Sequence, residues 1–254
     1  MNIKFISLNI WHGVFLFQEV LDFLKKQDAD IVVLQEVYSS KDSSLKEQFR
    51  TMQIYKEKLD YPEQVFSPHY RDFDNTNGKS QRGNAILSKF PIKLHDDVFF
   101  AKEYSEEYRD SPGHYHECPR SLQHITIDTP SGELDVYNIQ GVYDLNGDNF
   151  SPERQRMSEV ILNAIDGKDN VILAGDTNAK PTNSAIKMIE SKLNSVFGNE
   201  LQTSFNMRRK DNPGYATTVV DMILVSNNIS VKNKQCLDID ISDHLPLVVE
   251  LQVN

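Results

Sequence analysis

The sequence is short of several things, and each shortage closes off a class of protein. Cysteine occurs only twice in 254 residues, as Cys118 and Cys236, far apart and in no metal-binding spacing. That rules out a disulfide framework and fits a reducing compartment. No apolar run approaches the roughly 18 residues a membrane span needs. The opening stretch MNIKFISLNIW alternates polar and apolar residues and lacks the basic end and long apolar run of a secretion signal, so it reads as a strand and the expected location is cytoplasmic. Positive charge is scarce too. Lysine and arginine number 27 against 37 aspartates and glutamates, for a net charge of −10. Such a surface repels a phosphate backbone, which argues against strong nonspecific binding to long duplex DNA. It leaves open small phosphate esters, and nucleic acid held locally with the help of cations. Low-complexity segments and linkers are also missing. Residues 1–254 are therefore expected to form a single domain, with no obligate protein partner indicated.

What remains is an alternation of strands and helices. Ile3 to Ile10 forms the first strand. FQEVLDFLKKQ follows as an amphipathic helix with Val20, Leu21 and Leu24 on one face, leading into a buried strand from Ile31 to Leu34. A second helical stretch covers about Leu45 to Leu59. GNAILSKFPI, SLQHITIDT and ELDVYNIQG read as strands, the last two a hairpin closed by PSG. Ser151 caps a helix with Pro152 at its first position and an early glutamate. NVILAGD, VVDMILVS and the C-terminal LPLVVEL supply further strands. The interval 102–118, KEYSEEYRDSPGHYHEC, has no clean period and reads equally as a substrate loop or a mobile surface loop; Leu201 to Ala216 is also polar and irregular.

A faint repetition runs through this order. FISLNIWHG, a helix and IVVLQE parallel DVYNIQG, a helix and VILAGDTN. Each unit is a strand ending in an amide, a helix, and an apolar strand ending in an acid. Two such units face to face give two packed sheets with helices outside and the polar strand ends gathered at one edge. Those ends are Asn9, Glu36, Gln140, Asp176 with Asn178, Asp221, and Asp243 with His244. Each acid alone reads most simply as a turn or cap, Asp176 as the cap of a following helix. As a set at equivalent strand ends they imply a shared purpose, because an unpaired buried acid is costly. Oxygen donors of this kind suit Mg²⁺ or Mn²⁺.

LNIWHG, VVLQE, LAGDTN, VDMILVS and SDHLPL occur in the order seen in the endonuclease/exonuclease/phosphatase superfamily, the DNase I-like metal-dependent phosphoesterases, and the chain resembles that family from Asn9 to Leu247. The resemblance implies an α/β four-layer sandwich, with two mostly antiparallel or mixed sheets flanked by helices. It implies hydrolysis of a phosphoester by an activated water. Glu36 is then the main Mg²⁺ ligand, with Asn9 beside it and Asp243 serving the metal directly or through water. Asp176 aligns or deprotonates the water and Asn178 orients it or the phosphate. His244, held by Asp221, is the general base or a stabiliser of phosphate charge. Arg120 and Tyr137 are expected to contact phosphate or substrate, and Arg154 to be structural. Two positions depart from the family pattern. Gln140 stands where a histidine or asparagine usually contacts phosphate, and Trp11 where some members carry another acidic ligand, which favours one dominant metal. The substrate is accordingly expected to be a small phosphate ester or a nucleic acid. A phosphate-binding module with impaired catalysis is the reading from a different class, supported only by Gln140.

Overall fold

The computed structural model describes residues 1–144, 147 and 149–254. Among these residues twelve strands carry the architecture: β1 Asn2–Asn9, β2 Ile31–Ser39, β3 Glu63–Asp72, β4 Ser80–Ser88, β5 Ile92–Ala101, β6 Arg120–Thr129, β7 Gly132–Gln140, β8 Val171–Asp176, β9 Asn194–Ser195, β10 Asp221–Val225, β11 Ile229–Cys236 and β12 Leu247–Val253. The helices are α1 Phe17–Gln27, α2 Thr51–Lys58, α3 Pro152–Ile165 and α4 Ser184–Glu190. The strands form two six-stranded sheets, ordered β11-β12-β1-β2-β4-β3 and β5-β6-β7-β8-β10-β9. Both sheets are mixed, with the parallel pairs β1–β2 and β7–β8 set among antiparallel neighbours.

Period-two alternation in the strands produces three apolar layers, because successive side chains leave opposite faces of a sheet. Ile3, Phe5, Ile31 and Val33 of the first sheet meet Leu134, Val136, Ile172 and Ile223 of the second between the sheets. Their alternates, Ile6, Leu8, Val32 and Leu34, face outward onto Val20, Leu21 and Leu24 of α1. On the far side Leu173, Met222 and Leu224 pack on Met157, Ile161 and Ile165 of α3 and on Ile186 and Ile189 of α4. The expected four layers are present. Among the described residues no helix is long and apolar enough to cross a membrane.

Local signals hold with small changes. Ser151 Oγ accepts from Arg154 N at 3.3 Å, with Pro152 opening α3 as expected. The stretch expected as one helix from Leu45 to Leu59 is a 3₁₀ turn at Glu47–Arg50 followed by α2. The cap of α4 is Asn183, whose side chain accepts from Ala185 N at 2.9 Å. The capping role read for Asp176 in the sequence thus falls to Asn183.

Toward one end the layer between the sheets turns polar. Gln35 Nε2 donates to Asn138 Oδ1 at 2.7 Å, and Asn138 Nδ2 lies 3.0 Å from Leu34 O, Ala85 O and Gln123 Oε1. All three amide side chains are fully buried. This network joins the two sheets beneath the cleft.

Candidate active site

Parity along each strand decides what enters the cleft. Asn9 shares its face of β1 with Ile3 and Phe5, Gln140 shares that of β7 with Leu134 and Val136, and Asp176 that of β8 with Ile172 and Ala174. Glu36 has the wrong parity, since it follows Leu34 on the helix-facing side. A β-bulge corrects this: the β2–β4 register slips between Leu34 and Val37, and Glu36 adopts a φ of 62°. Bulges re-aim side chains, and a left-handed non-glycine residue stores strain that the surroundings must overcome. Trp11, His12 and Asn178 share this conformation, so four of the seven such residues among those described line the same cavity.

That cavity has a volume of about 560 Å³. At its base Asn9 Nδ2 lies 3.2 Å from Glu36 Oε1 and 3.1 Å from Asp176 Oδ2, tying together residues 167 positions apart. Trp11 N holds Asn9 Oδ1 at 3.0 Å. Gln140 Nε2 donates to Glu36 Oε1 at 2.8 Å, and Gln140 Oε1 accepts a short bond from Arg120 Nη1. Gln140 thus passes the hold of a guanidinium on to the carboxylate. Asn178 N donates to Asp176 Oδ1 at 3.0 Å, and its own amide reaches Gly141 O at 3.2 Å. Gly175 lets β8 approach β7 closely here: its φ is 139°, and an added Cβ would fall 2.0 Å from Ile139 O.

The C-terminal segment completes the wall. His244 Nδ1 meets Asp221 Oδ2 at 2.8 Å, and one ligand atom from each of Asp176, Asp221 and His244 falls within 4.8 Å of the others. Burial opposes the charge on His244, but Asp221 and Asp243 outweigh it and lift its pKa to about 10. Burial, against the pull of His244 and with the push of Asp221, raises Asp176 to about 6. Asp243 is buried beside them, with Oδ2 2.5 Å from Lys210 Nζ.

Several contributors escaped the sequence reading. Arg82, on the cleft face of β4 and 6% exposed, places Nη2 2.9 Å from Glu36 Oε2 and pairs through Nη1 with Asp110. His12 Nε2 stands 2.9 Å from the same Glu36 oxygen. Burial works against the Glu36 charge, yet Arg82 and His12 hold its carboxyl well below the usual range. Asp110 and Tyr115 bring the 102–118 loop into the cavity wall, and Phe205, Lys210 and Tyr215 do the same for the irregular 201–216 stretch. Arg208, Arg209 and Met207 of that stretch lie elsewhere.

One expectation fails. Tyr137 is 1% exposed on the helix-facing side of β7, where its hydroxyl donates to Ala164 O at 2.8 Å and its ring stacks on His124. Parity excludes it from the cleft that Gln140 enters. Arg154 does what a structural arginine would: it donates to Gly147 O at 2.7 Å, Asn149 O at 2.9 Å and Asn178 O at 2.6 Å.

An all-oxygen donor set fits a hard divalent cation. Glu36 Oε2 is buried and already has Arg82 Nη2 and His12 Nε2 beside it, each at 2.9 Å.

A strained acid, an amide bridge and a buried His–Asp pair thus meet between two mixed sheets. The chain matches the Endonuclease/Exonuclease/phosphatase family over residues 6–244, and it belongs to that family. The family comprises phosphoesterases and nucleases, in general dependent on divalent metals. No curated protein matches the sequence significantly. Among solved structures it is similar to an endonuclease/exonuclease/phosphatase from Beutenbergia cavernae, at 17% identity and TM-score 0.76, covering 100% of this chain and 72% of that one. It is similar to a Bacteroides thetaiotaomicron mannosyl-6-phosphatase at 20% identity and TM-score 0.71, covering 98% and 99%. The human Nocturnin catalytic domain with bound sulfate is similar at 18% identity and TM-score 0.71, covering 100% and 95%.

Proposed function

We propose that this protein hydrolyses a phosphoester bond with the aid of Mg²⁺ or Mn²⁺, and that its substrate is a small phosphate ester. The observation that carries the reading is the Asn9 bridge, which sets Glu36 and Asp176 about one amide apart in the cavity that also holds the His244–Asp221 pair. Glu36 would hold the cation, with Asn9 beside it fixing that carboxylate through its amide and Asp243 available through water. Once bound, the cation neutralises nonbridging phosphate oxygens and stabilises the leaving oxygen.

The chain's own residues do the rest. Arg120, aligned by Gln140, faces the nonbridging oxygens with a charge that Gln140 itself lacks. Asp221 and Asp243 keep His244 protonated at neutral pH, which makes it a stabiliser of phosphate charge. Asp176, with a pKa near neutrality, accepts the proton of the attacking water, and Asn178 orients that water. A net charge of −10 disfavours a long polyanion and supports the small ester over a nuclease substrate. The intact His–Asp pair and Glu36 weigh against an inactive binding module.

The test offers purified protein a bis-aryl phosphodiester, an aryl monoester, and single- and double-stranded DNA, with Mg²⁺ and with EDTA. Turnover of an aryl ester that EDTA abolishes is expected, and His244→Ala and Glu36→Ala should each lower it by about 10²–10⁴-fold while the fold survives. Wild-type rates from either variant, or no turnover of any substrate with Mg²⁺, defeats the reading.

A further inference from the structure

Four aromatic side chains among the described residues are strongly exposed: Phe15 at 65%, Tyr115 at 41%, Tyr143 at 44% and Phe150 at 55%. A scattered apolar residue needs no explanation, but a grouping does. Tyr115 and Tyr143 both line the cleft, from different loops, with ring centroids 6.1 Å apart at 84°. Phe15 lies 4.5 Å from Trp11, another lining residue, and Phe150 sits between the lining residues Gly147 and Arg154. The exposed aliphatic residues lie elsewhere: Leu94 and Val98 on β5 and Val231 on β11, the terminal strands of the two sheets. Two of these exposed aromatics thus line the cleft and a third, Phe15, contacts the lining residue Trp11, whereas the exposed aliphatics lie at sheet edges.

The tyrosine pair is also tied to the phosphate-facing residues. Tyr115 lies just upstream of Arg120 and Tyr143 just downstream of Gln140, and Arg120 donates to Gln140. The loop carrying Tyr115 is anchored before any ligand arrives, by the Arg82–Asp110 pair, by Asp110 N donating to Asp74 Oδ2 at 3.0 Å and by Arg71 on Glu106 at 3.0 Å. An aromatic ring on an anchored loop costs little entropy when it binds a flat ring.

We propose that Tyr115 and Tyr143 form a stacking subsite for a ring on the alcohol side of the ester, so that the substrate is a ring-bearing small phosphate ester. This rests on the phosphoesterase reading and specifies its substrate class. Nucleobases stack on such platforms through their π-faces, and a sugar presents a flat C–H face to the same surface.

Calorimetric titration of the wild-type protein with Mg²⁺ and non-hydrolysable phosphonates tests this. Phenylphosphonate should bind about tenfold tighter than methylphosphonate or better, the range of one stacked ring. Tyr115→Ala and Tyr143→Ala should erase that preference and leave methylphosphonate affinity within about twofold, while Tyr115→Phe and Tyr143→Phe keep it. Competition by adenosine or by methyl glucoside separates a nucleobase from a sugar. If methylphosphonate binds and the phenyl ring adds nothing, or the alanine variants keep the preference, the stacking subsite is refuted and the phosphate site stands. If neither phosphonate binds, both fall together.

Discussion

In the first sheet the parallel pair β1–β2 is flanked by β12 on one side and β4 on the other, and in the second the pair β7–β8 is flanked by β6 and β10 in the same way. The halves differ in where the closing hairpin comes from. β5 and β6 directly precede β7, whereas β11 and β12 return from the far end of the chain to close the first sheet. That return carries Asp243 and His244 into the cleft. They also differ in how each presents its acid. Asp176 pairs in register with Gln140, while in the first half Gln35 pairs with Asn9 and the acid is the next residue, pushed out by the bulge. Glu36 then meets Arg82 and His12 and stays ionised; Asp176 meets Asp221 and burial and is lifted toward neutrality. One topology thus yields a carboxylate fixed as an anion, fit to hold a cation, and a carboxylate able to move a proton.

The sharpest way to break this division is Asp221→Asn. It is nearly isosteric, so the fold should be kept, but it removes a main source of His244's positive charge. Turnover should fall by about 10²–10⁴-fold, with far-UV circular dichroism unchanged at a temperature where both proteins are folded. An unchanged rate would strip the pair of its role. The matching change in the first half is Arg82→Met, whose main effect should be on stability. It leaves Glu36 and Asp110 as partly uncompensated buried acids, a cost of about 3–5 kcal/mol. Denaturant titration measures it, and adding Glu36→Gln should recover part of the loss, because the double variant no longer strands that charge.

Much of this site was legible because apolar strands that end in acids are expensive unless the acids serve something. LAGD, VVLQE and SDHLPL carry that signal on their faces. Tyr137 was misplaced by one residue of parity, a rule already visible in LDVYNIQ: Leu134, Val136 and Gln140 point one way and Tyr137 the other. Arg82 also had a signal, since an arginine at the same parity as Ile86 in a buried strand demands a buried anion. The bulge at Glu36 had none, because no glycine marks it. Asp110 and Lys210 sit in aperiodic segments, where only tertiary packing decides which side chain reaches the cleft.

A subtler comparison sets His69 against Asp176. His69 is 1% exposed on β3, bonded to Ser121 Oγ at 3.2 Å, and burial together with Arg120 and Arg82 drives its pKa well below 6.5. Below pH 6.5 the unfolded chain takes up a proton there that the folded protein refuses, so His69 lowers stability as pH falls. Asp176 acts in the opposite sense. Its folded pKa of about 6 exceeds the ordinary 3.8, so between those values the folded protein binds the extra proton and gains stability on acidification. In EDTA, between pH 6 and 4.5, the two slopes oppose each other in the wild type, and each approaches about 1.4 kcal/mol per pH unit at most. His69→Gln should therefore gain on wild type as the pH drops, and Asp176→Asn should lose against it. Urea titrations across that interval read both differences. Parallel curves for wild type and His69→Gln would mean that the first half's buried histidine is not held neutral, and parallel curves for Asp176→Asn would remove the proton-accepting character assigned to the second half.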